Sequence, residues 1–227
     1  MFRASKFAIR ITLVCVMLLM YGCSQQEKAA DDEKYPVINK VVPFELDSTT
    51  GDVYHSDNGK VKLISFILMN CPDGACPTTM NDFAKIQNEL KEKGLFGSDV
   101  ELLAITFDPK RDDMERFKQY SENFAADPGG WHFLRTSEAR TKEITDDFDF
   151  QYDLGDAEMA THESSIVIHS TTMYILDAEH QVRATHQMSI PDSSEHEREV
   201  SHQMDIDQIV NDLEYLVDEG KEGEEVK

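Results

Sequence analysis

Residues 61–69 read VKLISFILM, a nearly continuous apolar run of strand length. A strand so composed is covered on both faces, as in parallel sheets. The run leads directly to Cys71, and the next apolar positions, Met80, Phe83, Ile86 and Leu90, fall at helical spacing before Gly94. Thr78 or Thr79 is the expected helix cap, with Asp82 completing a Thr-x-x-Asp start signal. The unit is therefore strand, cysteine loop, helix. Residues 100–107 predict a second buried strand, and Asp108-Pro109 a turn into a helix carrying Met114, Phe117, Ser121 and Phe124. A short strand follows at 131–134 and a helical stretch at 138–148. Residues 165–169 read as a strand, and 172–176 with 181–185 as a hairpin about the polar turn 177–180. Ile206, Ile209, Val210, Leu213, Leu216 and Val217 define a closing amphipathic helix.

Alternation of this kind predicts a largely parallel α/β sheet with an appended antiparallel β-hairpin, and a thioredoxin-like fold fits it best. In open sheets of this class, sites lie beyond the carboxyl ends of strands. Cys71 and Cys76 stand at such an end, where the dipole of the following helix favours negative charge on sulfur. Two thiols there can form a disulfide, hold a soft metal or exchange electrons with a partner. A purely structural bridge would span four intervening residues and remove little chain entropy, which favours a functional pair.

The N-terminus has the parts of a secretory signal. Arg3, Lys6 and Arg10 precede the apolar run ITLVCVMLLMY, 11 residues long, and Gly22-Cys23-Ser24 supplies a small-residue cleavage site. Spanning a bilayer takes about 20 apolar residues. The stretch Leu19 to Cys23 resembles the lipobox of bacterial lipoproteins, which implies a signal peptide over 1–22 and lipidation of Cys23. The alternative is an uncleaved membrane anchor with Cys23 a bystander. Either way the domain is expected outside the cytoplasm, tied to the bacterial cell membrane. Residues 23–34 are polar and aperiodic and read as a flexible tether, 35–218 as one domain, and 219–227 as a solvated acidic tail. Asp and Glu number 44 against 22 Lys and Arg, a formal charge of −22 that repels nucleic acid and anionic membrane surfaces alike. Attachment to a membrane then falls to the lipid.

Three runs, FILMNCPDGACPTTM, ITFDPKRDDMERFKQY and IVIHSTTMYILDAEHQV, resemble the motif blocks of the Sco/SenC family across nearly the whole domain. That family consists of membrane-anchored copper proteins that assist assembly of the dinuclear copper centre of cytochrome c oxidase. The resemblance implies a thioredoxin-like fold, copper held by Cys71, Cys76 and His169, and the copper-bearing oxidase subunit as partner. It differs in two places. Four residues, Pro72 to Ala75, separate the cysteines where the family has three, and Ile168 stands where the family usually has Asp. Gly74 can adopt backbone angles that absorb the extra residue.

Donor chemistry agrees independently, because thiolates suit copper(I), imidazole suits both oxidation states, and three ligands leave a position open for handing metal on. No fourth ligand at structural zinc spacing is apparent. Asp73 and Asp108 can tune such a site by charge, although Asp108-Pro109 is more simply a turn. The rival reading is an enzyme, a thiol-disulfide oxidoreductase that reduces the cysteines of the oxidase copper subunit and forms a Cys71-Cys76 redox disulfide itself. Against it, no proline occurs between Pro128 and Pro191 to supply the cis-proline that faces the pair in typical thioredoxin-like oxidoreductases. A peroxiredoxin-like peroxidase expects Thr two residues before the attacking cysteine, where Met69 stands. His186-Gln187-Met188 and His202-Gln203-Met204 repeat a pattern that can collect copper weakly, although chance explains it more simply in a chain with 8 His and 10 Met.

Overall fold

The computed structural model describes residues 34–71, 74–154, 168–187 and 204–225. Chain packing separates residues 1–36 from a compact unit, Val37–Lys227, and the fold is that of the second unit. Its strands are β1 (Asn39–Lys40), β2 (Glu45–Ser48), β3 (Val53–His55), β4 (Val61–Ile67), β5 (Val100–Thr106), β6 (Trp131–Arg135), β7 (Tyr152–Asp153), β8 (Ile168–His169), β9 (Thr172–Leu176) and β10 (Gln181–Gln187). Its helices are α1 (Ala75–Glu92), α2 (Met114–Glu122), α3 (Glu138–Asp147) and α4 (Ile206–Glu225).

An eight-stranded sheet runs in the order β1-β10-β9-β4-β5-β6-β2-β3. β4, β5 and β6 are parallel, and β9 lies antiparallel on the other side of β4. The result is a thioredoxin-like α/β fold in which the hairpin β9–β10 extends the sheet beyond β4. All seven residues of β4 and of β5 are buried, as their apolar composition requires. Leu63, Ile64, Ile67, Leu102 and Leu103 are buried, as are Phe83, Ile86 and Leu90 of α1 and Ile209 and Leu213 of α4, and the two helices pack on each other and against the sheet at β4 and β5.

Several local expectations change. α1 starts at Ala75 and not at a threonine cap, because Gly74 takes the left-handed conformation, φ 75°, and becomes the N-cap. Thr78 and Thr79 instead donate to carbonyls one turn back, Gly74 O at 2.9 Å and Ala75 O at 3.0 Å. Asp82 is buried and paired with Lys85 at 2.8 Å rather than capping. α2 ends at Glu122, so Phe124 lies past it. β8 pairs with β7, outside the main sheet, while residues 165–167 lie outside the described residues. α4 continues through Glu225, over residues read as tail, with Glu219 bound to Arg183 at 2.9 Å and Lys221 to Asp99 at 2.6 Å. β1, β2, β3 and β7 are additional short strands.

Candidate metal centre

β4 ends at Ile67, and its last sheet bond is Phe107 N to Ile67 O at 3.1 Å. Beyond it the chains of β4 and β5 part, and the next two amides bond to side chains. Leu68 N donates to Cys76 Sγ at 3.5 Å, and Met69 N to Asp112 Oδ2 at 3.2 Å. Gly74 then turns the chain into α1, placing Cys76 in its first turn. There Cys76 N, one of the helix's unsatisfied N-terminal donors, points at Cys71 Sγ at 3.3 Å. A cysteine sulfur therefore does the work a side-chain cap would do, in a place where the helix dipole favours negative charge.

β8 delivers His169 to the same point, although 93 residues separate it from Cys76. Its Nε2 lies 3.5 Å from Cys71 Sγ and 3.9 Å from Cys76 Sγ. Its Nδ1 is 2.9 Å from Ser170 O, and a carbonyl only accepts, so Nδ1 carries the proton and the Nε2 lone pair faces the sulfurs. Phe107 packs against the imidazole, ring centres 5.4 Å apart, and against Phe150 and Tyr152, which makes one wall of the site apolar. Cys71 is half-buried and Cys76 is 2% exposed; both are thiols.

The three donor atoms lie within 4.8 Å of one another. Atoms sharing one ion at roughly 2.0–2.3 Å and spread about it stand roughly 3.5–4 Å apart, so this set fits a soft metal with little rearrangement. Among the described residues it is the one such grouping of His, Cys, Asp or Glu.

Charge around the site is arranged by groups that sequence reading did not single out. Asp112, 1% exposed, accepts from Thr106 Oγ1 at 2.6 Å as well as from Met69 N, and burial pushes its carboxyl up to about 6 against those bonds. Among the described residues, the Tyr120 hydroxyl is buried without a hydrogen-bond partner. Burial first, and then negative charge at Cys76, Cys71 and Asp112, pushes its phenol above the ordinary value. Asp108 is buried and held by the Arg111 guanidinium, with its amide bonded to Thr106 Oγ1 at 3.0 Å, so it serves its turn. The run ITFDPKRDD contains both Thr106 and Asp112, but nothing in its composition announces that the second acid is buried.

Cys23, Asp73, Met188, His202 and Gln203 lie outside the described residues. Of the described members of the two His-Gln-Met segments, His186 is taken by Asp212 at 3.0 Å and Met204 is buried at 4% exposure. Among the described residues no helix is long and apolar enough to cross a membrane.

Residues 33–205 match the model of a protein family described as SCO1/SenC. An SCO2-like protein of Rickettsia prowazekii is 32% identical over 137 residues, which cover 60% of this chain and 63% of that relative's length. Among solved structures, a SCO1/SenC family lipoprotein from Bacillus anthracis superposes with a TM-score of 0.63 at 24% identity, covering 79% of this chain and 96% of the other. Yeast Sco1 with copper bound gives a TM-score of 0.58 at 25% identity, covering 78% and 89%.

Proposed function

The chain belongs to the SCO1/SenC family, and on that premise we propose that Cys71, Cys76 and His169 bind copper and that the protein hands it on during assembly of the copper centre of cytochrome c oxidase. The observation that carries the reading is the donor set itself. Two thiols and an imidazole whose Nε2 lone pair faces them sit at one strand end, with Cys71 partly open to a partner. Two thiolates hold copper(I) well, and a three-ligand site leaves a position through which a client's ligand can enter. The proposal includes lipidation of Cys23, holding the domain at the outer face of the cell membrane, with the copper-bearing oxidase subunit as client. Cys23→Ala is expected to leave the membrane fraction, and mass spectrometry of wild type finding an intact leader with no lipid on Cys23 would count against the anchor.

Redox state gates the metal in this reading. Closing the Cys71–Cys76 bridge removes two electrons and two protons from the pair and leaves sulfurs that are poor copper ligands. The test is parallel copper titration of reduced protein and of oxidised protein whose bridge is verified by mass. Tight binding in the reduced form and its loss in the oxidised form are expected. Equal tight binding by both would remove the cysteines from the copper site.

The same closeness of the sulfurs supports a second reading. The dithiol can reduce a disulfide in the client, with Cys71 attacking, a client thiolate leaving, and Cys76 displacing the second client thiolate as the internal bridge forms. Reduction of a disulfide-bonded client peptide by metal-free protein tests it.

A further inference from the structure

Where β4 and β5 part, the loop after β5 curls back on itself, with Arg111 N at 3.2 Å and Asp112 N at 3.0 Å from Asp108 O. The curl inserts the Asp112 carboxylate between the diverging chains. Its Oδ2 accepts from Met69 N on one side, at 3.2 Å, and from Thr106 Oγ1 on the other, at 2.6 Å. Arg135 of β6 holds the curl from behind, its Nε donating to Asp112 O at 2.9 Å and its Nη2 to Pro109 O at 2.6 Å. Met69 is two residues before Cys71, and Asn70 between them lies in a turn that no strand holds. The carboxylate is thus the anchor nearest Cys71 on the β4 side. Burying an acid this deeply is unfavourable, and a simple turn has no need of it.

We propose that Asp112 is a positioning residue for the Cys71–Cys76 pair, holding the Cys71 limb at the distance from Cys76 and His169 that both metal binding and disulfide closure require. The inference rests on the reading of the two cysteines as the working pair. Freed from Met69 N, the limb samples more conformations, and the effective concentration of one sulfur at the other falls.

The experiment compares Asp112→Ala, Asp112→Ser, Asp112→Asn and Thr106→Val with wild type in the full mature protein. The primary readout is the equilibrium between dithiol and bridged forms of metal-free protein in glutathione redox buffers. The strength of a hydrogen bond to a charged group sets the upper bound on the shift its loss can cause through the freed limb, and about tenfold lies within that bound. Asp112→Ala is expected to shift it toward the dithiol by about that factor, and copper(I) affinity to fall in parallel. Asp112→Ser shortens the side chain by one atom, so its hydroxyl withdraws from Met69 N and Thr106 Oγ1 together, and it carries the same expectation should the alanine variant not fold. Asp112→Asn retains an acceptor of the same shape and is expected to stay within about threefold of wild type. Thr106→Val breaks the other bond to the same carboxylate without touching Met69, and is expected to lower stability while leaving the thiol equilibrium nearly unchanged. Two results would overturn the proposal: an unshifted equilibrium in Asp112→Ser, or an equal shift in Thr106→Val. Failure of the copper reading shows separately, as copper binding retained by a double Cys71→Ala, Cys76→Ala variant, because the glutathione equilibrium is read without metal.

Discussion

Lys62→Met is expected to stabilise the protein at neutral pH, and to lose that advantage in alkaline solution. Lys62 is fully buried in β4, beside Glu101 of β5 and Leu176 of β9. Its Nζ donates to Lys60 O at 2.6 Å. The carboxylate that would balance it is already occupied. Glu101 accepts from Tyr54 at 2.7 Å, Asn58 at 2.8 Å and Lys60 at 2.7 Å. Burial accordingly pushes the Lys62 ammonium down from 10.5 to about 8, with attraction to Glu101 opposing. Between those values the unfolded chain keeps a proton that the folded chain has released, so stability rises with pH through the window. Below the window the folded state carries the whole penalty, about 3 kcal/mol for a gap of this size. Methionine has similar length and no charge to desolvate. Against the relief stands the bond to Lys60 O, about 1 kcal/mol, the attraction to Glu101 being already contained in the gap. The net gain at pH 7 is about 1–2 kcal/mol, which for a domain of this size raises Tm by about 2–4 °C per kcal/mol. At pH 10.5 the wild-type amine is largely neutral and the balance turns to a small loss. Urea unfolding of both proteins at pH 7 and pH 10.5 measures this. A variant less stable than wild type at pH 7, or a gap unchanged between the two pH values, would refute the reasoning.

His169→Ala is expected to fold normally and to lose copper affinity by at least about 100-fold, since losing even an outer partner of a ligand costs about 10–100-fold; unchanged affinity and spectrum in a folded variant would take His169 out of the site. Gly130→Ala is expected to destabilise by about 1–3 kcal/mol, because the added carbon would stand 2.8 Å from Gly97 Cα and N, backbone atoms that cannot swing aside. Gly220→Ala meets nothing within 4 Å in α4, and removing a helix glycine is expected to add about 0.5–1 kcal/mol. Thermal unfolding of the pair checks both, and a tolerated Gly130→Ala would mean that β6 can shift away from the loop at Gly97.

The centre of the fold was legible because burial on two faces leaves a composition that period and length can read. β4 and β5 are such segments, and their helices follow from apolar spacing. Lys62 shows the limit, since one lysine inside that run is as buried as its neighbours, against the usual preference of its type. The outer strands were not legible for the opposite reason. β2 alternates exposed and buried over four residues, and β1 has two exposed ones, too little pattern to stand out from loop. The C-terminal helix outran its apolar stripe because ion pairs from Arg183 and Asp99 hold Glu219 and Lys221, overriding the low helix propensity of Gly220 and Gly223. Propensity is local, and those partners are far away in sequence.

The site was legible in its parts but not in its geometry. Two cysteines at a strand end are visible as chemistry, yet periodicity says nothing about His169, and family resemblance alone joined it to them. The start of α1 was misplaced because capping signatures are written in side chains, and Thr78 and Thr79 offered one. The chain uses backbone instead. With Gly74 left-handed, Cys76 occupies a first-turn position whose amide has no partner within the helix, and that amide meets the Cys71 sulfur. With four residues between the cysteines, both sulfurs remain within reach of the same imidazole nitrogen. His169 is prepared in a similar way, since a backbone carbonyl selects which nitrogen carries the proton. Both devices depend on the path of the main chain, so the donor set can converge even though the spacing of its residues departs from the family's.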